Sequence, residues 1–334
     1  MIRIKVLFTL FVVYCGSAAI AQQSELHSTV SAERLERLVN GLSADSMKGR
    51  LSGTPNMVAA AQIIAAEFRE AGLSFWPGDS SFFQEFQFAG QDGIRTGINV
   101  IGVLPGKSRI HEGVIFSSHY DHIGTKSSAP LFGPSESTAS ARDTIYNGAN
   151  DNASGTAAVI SLAHYFSKAA LNERTIIFAC FSAEEFGLLG SKEFAAYVNV
   201  DSIVAVINLE MLGRGALRPF VTGDQHSNLR TLLNKHLKLV PDSIDKQIEF
   251  RRDPYSDHNL FARSDNYHFA LAGIPAHTIM LTSPTDRFYH KVSDQSQTLN
   301  YHNMALITRA VARAALGLIQ GTDTPVRIRM VTER

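Results

Sequence analysis

Short, mostly apolar stretches recur along the chain, and small or turn-forming residues bound each of them. They are too short for buried helices, and Val, Ile and Phe dominate them, so the pattern predicts strands that are buried on both faces. The most regular stretch, Thr175–Phe181, lies near the middle of the chain. The predicted strands are Asn99–Leu104, Val114–Ser118, Thr175–Phe181, Ile203–Leu209, Phe220–Thr222 and Ala276–Leu281.

Between these strands, apolar residues return every three or four positions, the period of a helix with one buried face. Ser31 is the expected N-cap of a first helix, and Thr54 followed by Pro55 predicts the start of a second, which Gly72 ends. The other expected helices carry the stripes Val159/Leu162/Ala163/Phe166 and Met304/Ile307/Val311/Leu318, or span Leu229–Leu239. This alternation predicts an α/β fold: a mixed, largely parallel central sheet covered by helices on both faces.

Acidic residues and histidines follow several predicted strands at their C-terminal ends. Glu184 and Glu185 come directly after the central strand. His119 ends an earlier strand, and Glu210 ends a later one. Taken alone, the two adjacent glutamates also fit a solvated acidic loop. Open α/β sheets bind their ligands at this edge, however, and buried carboxylates there need a cationic partner.

Five residues at successive element ends form a candidate donor set: His119, Asp151, Glu185, Glu210 and His290. Two imidazoles and three carboxylates are a mixed nitrogen and oxygen set that suits zinc. Two ions about 3.5–4 Å apart can share such a set if one carboxylate bridges them. Asp151 lies between a long loop and a helix start, so it is the expected bridge. Each residue alone has an ordinary structural role, Asp151 as a helix cap for example. The coincidence of all five favours a metal site.

The composition and net charge give no indication of a nucleic-acid or membrane partner, and they do not identify another partner. The chain has 334 residues, of which 45% are hydrophobic and 19% charged, as in an ordinary soluble globular protein. Lys and Arg together number 31, as do Asp and Glu, so the charge gives no reason to expect nucleic acid or an anionic membrane as partner.

The N-terminus has the pattern of a signal peptide. Arg3 and Lys5 precede an apolar run that is too short to span a membrane, and residues 19–21 (Ala-Ile-Ala) fit a cleavage site. We therefore expect an exported protein, periplasmic or extracellular, with no transmembrane segment after cleavage. The predicted organisation is a signal peptide over 1–21, one folded domain over 22–320 and a C-terminal tail over 321–334. Cys15 leaves lipidation open, although Tyr14 before it is bulky for that signal.

The chain resembles metallopeptidase family twenty-eight, the family of secreted di-zinc aminopeptidases, in the order and spacing of its motifs. The resemblance runs from about Ser31 to Ile319. The motifs that carry it are His119-Tyr-Asp-His122, Asn147–Gly155, Ser182–Gly187, Asn208–Met211, Arg263–Asp265, Gly273–Ala276 and Tyr289–Asp294.

The resemblance implies a zinc-exopeptidase (phosphorylase/hydrolase-like) fold and an aminopeptidase that holds two Zn²⁺ per chain and acts on peptides. It implies that Glu184 is the general base for a metal-activated water and that Asp121 fixes the first ligand's imidazole. The implied ligands are His119 and Glu210 for one zinc, Glu185 and His290 for the other, and Asp151 as the bridge. Glu210 stands where many members carry Asp.

Three alternatives stay open at this stage. A carboxypeptidase would read a terminal carboxylate through basic groups such as Arg214, Arg251, Arg252 or Arg263. A glutaminyl cyclase uses a similar scaffold, and a binding protein could keep the scaffold without the chemistry. The sequence does not determine residue preference, oligomeric state or the role of the 124–147 loop.

Several residues receive no functional role from the sequence. His122 lies beside the first predicted ligand and is interpreted as a bystander. The loop Met47–Gly53 offers no chemistry, and Cys180 is expected to be a packing residue. Four further histidines, His258, His268, His277 and His302, are interpreted as ordinary surface or core residues. Asp265 and Tyr289 are candidates for lining a substrate pocket.

Overall fold

A computed structural model describes residues 22–90, 93–128, 143–239 and 248–328, and within them one sheet organises the chain. Its strands are β1 (Phe83–Gly90), β2 (Gly93–Leu104), β3 (Arg109–His119), β4 (Arg174–Phe181), β5 (Ile203–Glu210), β6 (Phe220–Val221), β7 (Arg251–Arg252) and β8 (Ala276–Met280). The order across the sheet is β1-β2-β4-β3-β5-β8-β6-β7.

The four central strands, β4, β3, β5 and β8, are parallel to one another. On one side β2 pairs antiparallel with β4 and β1. On the other, β6 pairs antiparallel with β8 and parallel with β7. The prediction of a mixed sheet with a parallel centre is confirmed. Parallel strands place their C-terminal ends along one edge, which is why residues far apart in sequence meet there.

Helices cover both faces of the sheet. They are α1 (Ala32–Leu42), α2 (Pro55–Glu70), α3 (Ser154–Ala169), α4 (Leu189–Tyr197), α5 (Leu229–Lys238), α6 (Asn266–Leu271), α7 (Tyr301–Ala314) and α8 (Leu316–Ile319), and residues 22–29 before α1 are also helical. Alternate residues of β4 enter different cores. Ile176, Phe178 and Cys180 pack with α2, α3 and α7, whereas Ile177, Ala179 and Phe181 pack with α4 and α6. Burial on both faces explains why this strand lacks polar alternation.

The predicted helix starts are confirmed in detail. The Ser31 side chain accepts a hydrogen bond from the Arg34 N–H, and Thr54 accepts one from the Met57 N–H with Pro55 in the first helical position. Both caps satisfy amide groups that a helix N-terminus leaves without an internal partner.

Some elements differ from the predictions. Strand β1 was not predicted, and β2 begins at Gly93 rather than Asn99. In the closing helical stripe, α7 ends at Ala314 and Leu318 belongs to the separate α8. Strand β1 is an edge strand in which only Phe86 and Phe88 are buried. Its pairing therefore depends on the neighbouring strand more than on its own pattern.

Among the described residues, no helix has both the length and the apolar character needed to cross a membrane. The predicted signal peptide, including Cys15, lies outside the described residues, as do positions 129–142 of the predicted 124–147 loop. The two described ends of that loop pair with each other, because the Lys126 N–H donates to the Thr144 carbonyl over 2.8 Å.

Candidate active site

The predicted site residues lie along the C-terminal edge of the parallel strands. His119 is the last residue of β3, and Glu210 is the last residue of β5. Glu184 and Glu185 follow β4 in a turn that precedes α4. Two loops supply the others. Asp151 lies in the irregular turn Ala149–Ala153 before α3, and His290 lies in the loop after β8.

Asp151 is the centre of this arrangement. Its Oδ1 lies 3.3 Å from Nε2 of His119, and its Oδ2 lies 3.2 Å from Nε2 of His290. His290 Nε2 is in turn 3.1 Å from Oε2 of Glu185. The two oxygens of one carboxylate thus face two different imidazoles. This is the arrangement expected of a bridging ligand.

His122 belongs to the same group, contrary to its interpretation as a bystander. Its ring is fully buried, and Nδ1 lies 2.7 Å from Glu185 Oε1. Ligand atoms of His122, Asp151, Glu185 and His290 all lie within 4.8 Å of one another. We call His119, His122, Asp151, Glu185 and His290 the Asp151 cluster. The sequence signal was the second histidine of His119-Tyr-Asp-His122, which strand periodicity could not place.

Glu210 borders the Asp151 cluster on the side of His119. Its carboxylate is buried and accepts a hydrogen bond from the Ser264 hydroxyl. Burial raises the pKa of Glu210 to about 7, although the His119 imidazole and the Ser264 hydrogen bond favour the charged form. A carboxylate with so high a pKa is poised to receive a cation.

Asp121 contacts both His119 and the backbone of Glu184. His119 Nδ1 lies 3.3 Å from the Asp121 backbone oxygen and 3.6 Å from its carboxylate. Asp121 Oδ1 also accepts the backbone N–H of Glu184 over 3.2 Å. A proton on Nδ1 leaves the lone pair of His119 Nε2 available to bind a cation on the side of Asp151.

The segment Met47–Gly53 received no functional role from the sequence. In the structure its side chains form hydrogen bonds to the segments that carry the site residues. The Ser52 hydroxyl donates to Asp121 Oδ2 over 3.0 Å and accepts the Ala183 N–H over 2.7 Å. The fully buried Arg50 guanidinium donates to the carbonyls of Leu42, Tyr120, Asn147 and Gly148 over 2.6–2.9 Å. Arg50 thereby joins the two segments that carry His119 and Asp151.

Asp294 fixes the turn that carries Asp151. Its carboxylate accepts the backbone N–H groups of Asn150 and Asp151 and pairs with Arg214 over 2.8 Å. Arg214 also pairs with Asp286 over 2.7 Å. Its charge is therefore already compensated within the fold, and this argues against Arg214 as a reader of a substrate carboxylate.

The backbone around the site is strained at several positions. Ala183, Met211 and His290 have φ values of 56°, 50° and 54°, in the left-handed region that residues other than glycine rarely adopt. They stand just before Glu184, just after Glu210, and at a predicted ligand. Strain of this kind persists only where the surrounding structure enforces it, and it is common at functional sites.

The donor atoms fit a divalent metal. Nε2 of His119, Nδ1 of His122, Nε2 of His290 and Oε1 of Glu185 are buried without a hydrogen-bond partner. Two donors about 2.1 Å from a tetrahedral zinc ion stand about 3.4 Å apart. The separations of Asp151 and Glu185 from His119 and His290 are 3.1–3.3 Å. The nitrogen and oxygen donor set is also one that zinc prefers.

The electrostatics of the cluster point the same way. Burial alone would lower the pKa of His290, but Glu185 and Asp151 raise it to about 11. Burial likewise opposes ionisation of Glu185, yet His290 and His122 bring its pKa down to about 2. The two carboxylates therefore produce a negative electrostatic potential where the imidazole nitrogens converge. A metal cation bound there would be stabilised by that potential.

Glu184 has the opposite shift. Burial raises its pKa well above the ordinary value, and the charges of Glu185 and Glu210 add to this effect, although the His119 imidazole opposes it. A carboxyl group with a raised affinity for protons beside a cation site is suited to take and return a proton.

A narrow pocket opens beside Glu210. It is lined by Met211, Leu260, Arg263, Met280, Pro284 and Tyr289 in addition to Glu210. Tyr289 stacks on His290 with ring centroids 4.0 Å apart. Of the four arginines considered in the sequence, Arg263 lines this pocket, whereas Arg251 and Arg252 are exposed on β7. Asp265, the other predicted lining residue, is fully buried.

The other histidines have ordinary surroundings. His277 is buried in the core, where Nε2 lies 2.6 Å from the Ser227 hydroxyl and Nδ1 lies 2.8 Å from the Thr222 carbonyl. His258 and His302 are exposed, and His268 is half-buried. The interpretation of these four residues as surface or core histidines agrees with their positions.

Comparisons with known proteins identify a family for this chain. The model of peptidase family M28 matches residues 99–315, more than half of the chain. The probable lipoprotein aminopeptidase LpqL of Mycobacterium tuberculosis is 27% identical over 188 residues, which are 51% of this chain and 37% of that protein. The chain spans less than half the length of the first curated relatives that it matches.

Solved structures share the fold at low sequence identity. The aminopeptidase from Aneurinibacillus sp. strain AM-1 superposes with a TM-score of 0.64 and 16% identity, over 89% of this chain and 96% of that one. Porphyromonas gingivalis glutaminyl cyclase gives 0.66 and 16%, over 85% and 97%. Since the family model covers more than half of the chain, the protein belongs to peptidase family M28.

Proposed function

We propose that this protein is a zinc-dependent exopeptidase that removes N-terminal residues from peptides and holds two zinc ions per chain. The observation that carries the proposal is the convergence of buried imidazole nitrogens without hydrogen-bond partners on the carboxylates of Asp151 and Glu185. Buried polar atoms are rarely left in this state unless a ligand completes them.

The ligand assignment follows the two sides of Asp151. His119 and Glu210 would hold one ion, Glu185 and His290 the other, and Asp151 would bridge them. Zinc bound there supplies a Lewis acid that lowers the pKa of a water molecule and polarises a carbonyl group. The resulting reaction class is hydrolysis of the peptide bond next to the bound terminus.

Glu184 would act as general base and then as general acid. Its backbone is held by Asp121, and its carboxyl group lies where burial and neighbouring carboxylates favour the protonated form. It would take a proton from the attacking water and return it to the amine that leaves when the carbon–nitrogen bond breaks. Asp121 would keep the His119 ring in its orientation at the same time.

The charge around the site favours a substrate's free amine over its free carboxylate. The acidic side chains of Glu184, Glu210 and Asp265 lie close enough together to raise one another's pKa, and a cationic amine nearby would favour their ionised forms. Arg214 already forms ion pairs with Asp286 and Asp294, so its charge is not available to a substrate carboxylate. Arg263 lines the pocket and is the observation that keeps carboxypeptidase activity as the second candidate.

Export is a separate part of the proposal. The basic and apolar pattern of residues 1–21 supports removal of a signal peptide and a periplasmic or extracellular site of action. N-terminal sequencing of the protein recovered from cell fractions tests it. Gln22 as the first residue supports export, and an intact Met1 in the cytoplasmic fraction contradicts it.

The activity test is a peptide panel with zinc-loaded protein. It pairs free with acetylated N-termini and free with amidated C-termini, and each assay is repeated after chelation. We expect chelator-sensitive cleavage that requires only the free amine. A requirement for the free carboxylate would instead support a carboxypeptidase. Cyclisation of N-terminal Gln without peptide-bond cleavage would support a glutaminyl cyclase, and metal binding without turnover would support a binding role.

A further inference from the structure

His122 lies against the same carboxylates as the predicted ligand His290, although no role was expected for it. Its Nδ1 lies 2.7 Å from Glu185 Oε1 and 3.8 Å from Asp151 Oδ2. The ring stands at right angles to His290, with centroids 5.5 Å apart. His122 thus approaches both carboxylates that His290 approaches, from a different side.

The contact between His122 and Glu185 is short, yet it is not aligned as a hydrogen bond. Nδ1 of His122 and Oε1 of Glu185 both remain without a hydrogen-bond partner. Nε2 of His119 and Nε2 of His290 behave in the same way, close to carboxylate oxygens but not directed at them. His164 Nε2 is in the same state, 3.0 Å from Glu67 Oε2, so this state alone does not mark a ligand. His122 differs because its donor atom lies within 4.8 Å of donor atoms of Asp151, Glu185 and His290.

The backbone fixes the His122 ring in this position. A Cβ atom on Gly148 would lie 2.5 Å from Cγ of His122, so the ring fills the space that this glycine leaves. Arg50 donates to the carbonyls of both Tyr120 and Gly148, which holds the two segments together. Rotation of the ring away from Glu185 would require these buried segments to separate.

We infer that Nδ1 of His122 is a fourth protein ligand of the half-site formed by Asp151, Glu185 and His290. The inference rests on the proposed two-zinc site and adds a residue to it. The opposite half-site, with His119, Asp151 and Glu210, then has three protein ligands. Four protein ligands are typical of closed structural zinc sites, and three with an open position are typical of catalytic ones.

A division of labour between the two half-sites follows. The half-site with His122 retains its ion more firmly and keeps the loops around Asp151 in place. The half-site with His119 keeps a free position for water or the substrate carbonyl. Chelation should therefore remove metal in two separated steps, and the first ion lost should be the one that the His119 side holds.

The competing role for His122 is that of a hydrogen-bond donor that orients Glu185. Both roles would weaken metal binding on substitution, since loss of an orienting partner already costs about 10- to 100-fold in affinity. Affinity alone therefore does not distinguish them. The decisive property is a direct bond between Nδ1 and the metal.

Cadmium resonance measures that bond. Protein labelled with ¹⁵N-histidine is loaded with ¹¹³Cd²⁺, and the His122 signal is assigned by its loss in His122→Gln. We expect scalar coupling of cadmium to Nδ1 of His122, in addition to coupling with Nε2 of His119 and His290. His111→Gln, at an exposed histidine far from the cluster, is the matched control and should change no coupling.

The outcomes separate the two proposals. Coupling at Nδ1 of His122 supports its role as a ligand. Coupling at His119 and His290 but not at His122 overturns this inference and leaves the metal site intact. Absence of coupling at all three histidines in the folded protein overturns the proposed metal site itself. If His122→Gln fails to fold, His122→Asn provides the assignment.

Discussion

Two groups of charged residues in this protein contain similar side chains, but they differ in whether the protein itself supplies the positive charge that balances their carboxylates. The Glu67 cluster consists of the buried Glu67 on α2, Arg34 and the exposed Arg37 on α1, and His164 on α3. The Asp151 cluster also combines buried carboxylates with imidazoles. One lies between regular helices, and the other lies at the edge of the sheet.

In the Glu67 cluster the protein itself supplies the compensating charge. Arg34 and Arg37 reach the Glu67 carboxylate over 2.7 and 3.1 Å, and His164 lies 3.0 Å away. Burial alone would raise the pKa of Glu67, but the His164 contact and the two arginines lower it to about 2. Such a group stabilises the contact between helices and requires no ligand.

In the Asp151 cluster the ion-pair partners of Asp151 and Glu185 within the described residues are histidines, and the ring nitrogens that face the two carboxylates have no hydrogen-bond partner. Neighbouring residues adopt left-handed backbone conformations that regular helices avoid. The comparison shows that buried acid and imidazole alone do not identify a metal site. Buried donors without a hydrogen-bond partner do not separate the clusters either, because Nε2 of His164 and Nε of Arg34 in the Glu67 cluster are also without one. What separates them is the lack, in the described part of the chain, of an arginine or lysine partner for Asp151 and Glu185 and the strained backbone beside them.

The largest expected difference between the clusters is in metal binding. Glu185→Ala should lose about one metal ion per chain and with it the activity, because a ligand and a negative charge disappear together. Glu67→Ala should retain the full metal content, measured by elemental analysis after gel filtration. Full metal occupancy in Glu185→Ala would contradict the ligand assignment.

The second largest expected effect is a loss of turnover when Glu184, beside the Asp151 cluster, is substituted. Glu184→Gln keeps the shape of the side chain but removes the base, so we expect turnover to fall by about 10²- to 10⁴-fold. Metal content should stay unchanged, because Glu184 is not a predicted ligand. Steady-state rates with a chromogenic aminopeptidase substrate measure the loss. A rate near that of the wild type would show that another group is the base.

Substitution of the buried Arg50 should reduce stability more than substitution of a surface arginine. Arg50→Met removes the donors to the carbonyls of Leu42, Tyr120, Asn147 and Gly148. We expect the free energy of unfolding to fall by about 4 kcal/mol, since buried carbonyls would lose their partners. Urea denaturation measures this, and Arg251→Met, at an exposed position on β7, is the control. Equal losses in both variants would remove the special role of Arg50.

The smallest expected effect is the pH dependence of the Glu67 cluster. The pKa of Glu67 is lowered on folding from 4.5 to about 2. Its ionised form therefore stabilises the fold above about pH 4.5, and this contribution is lost as the pH falls toward about 2. Glu67→Gln should lower the unfolding free energy at pH 7 by about 2 kcal/mol.

The same variant should differ less from the wild type as the solution is acidified. Urea denaturation at several pH values, with both proteins in chelator, compares them without a contribution from bound metal. A difference that stays constant between pH 7 and pH 3 would show that the charge of Glu67 is not what stabilises the helix contact.

Much of the site could be read from the sequence because it depends on strand ends. Once Thr175–Phe181 and Ile203–Leu209 are recognised as buried strands, the polar residues after them fall on one edge of a parallel sheet. The predictions that His119, Asp151, Glu185 and His290 come together agree with the distances in the structure. The family assignment is confirmed by the match over residues 99–315.

The contribution of His122, Arg50 and Ser52 could not be read in this way. His122 follows a strand by three residues, so no strand period fixes the direction of its ring. Arg50 and Ser52 belong to a short irregular segment whose sequence resembles any turn, and they contact residues about 70 positions away. Hydrogen bonds to backbone carbonyls leave no residue pattern at the accepting positions.

The sequence by itself therefore determined the parallel centre of the sheet, the order of the donors and the family. Hydrophobic periodicity records which faces are buried, and the end of each apolar run records where a side chain meets solvent or ligand. Only the tertiary structure decided which donors share a point, which arginines are already paired, and that His122 joins the cluster. These depend on distances between segments that a linear pattern does not contain.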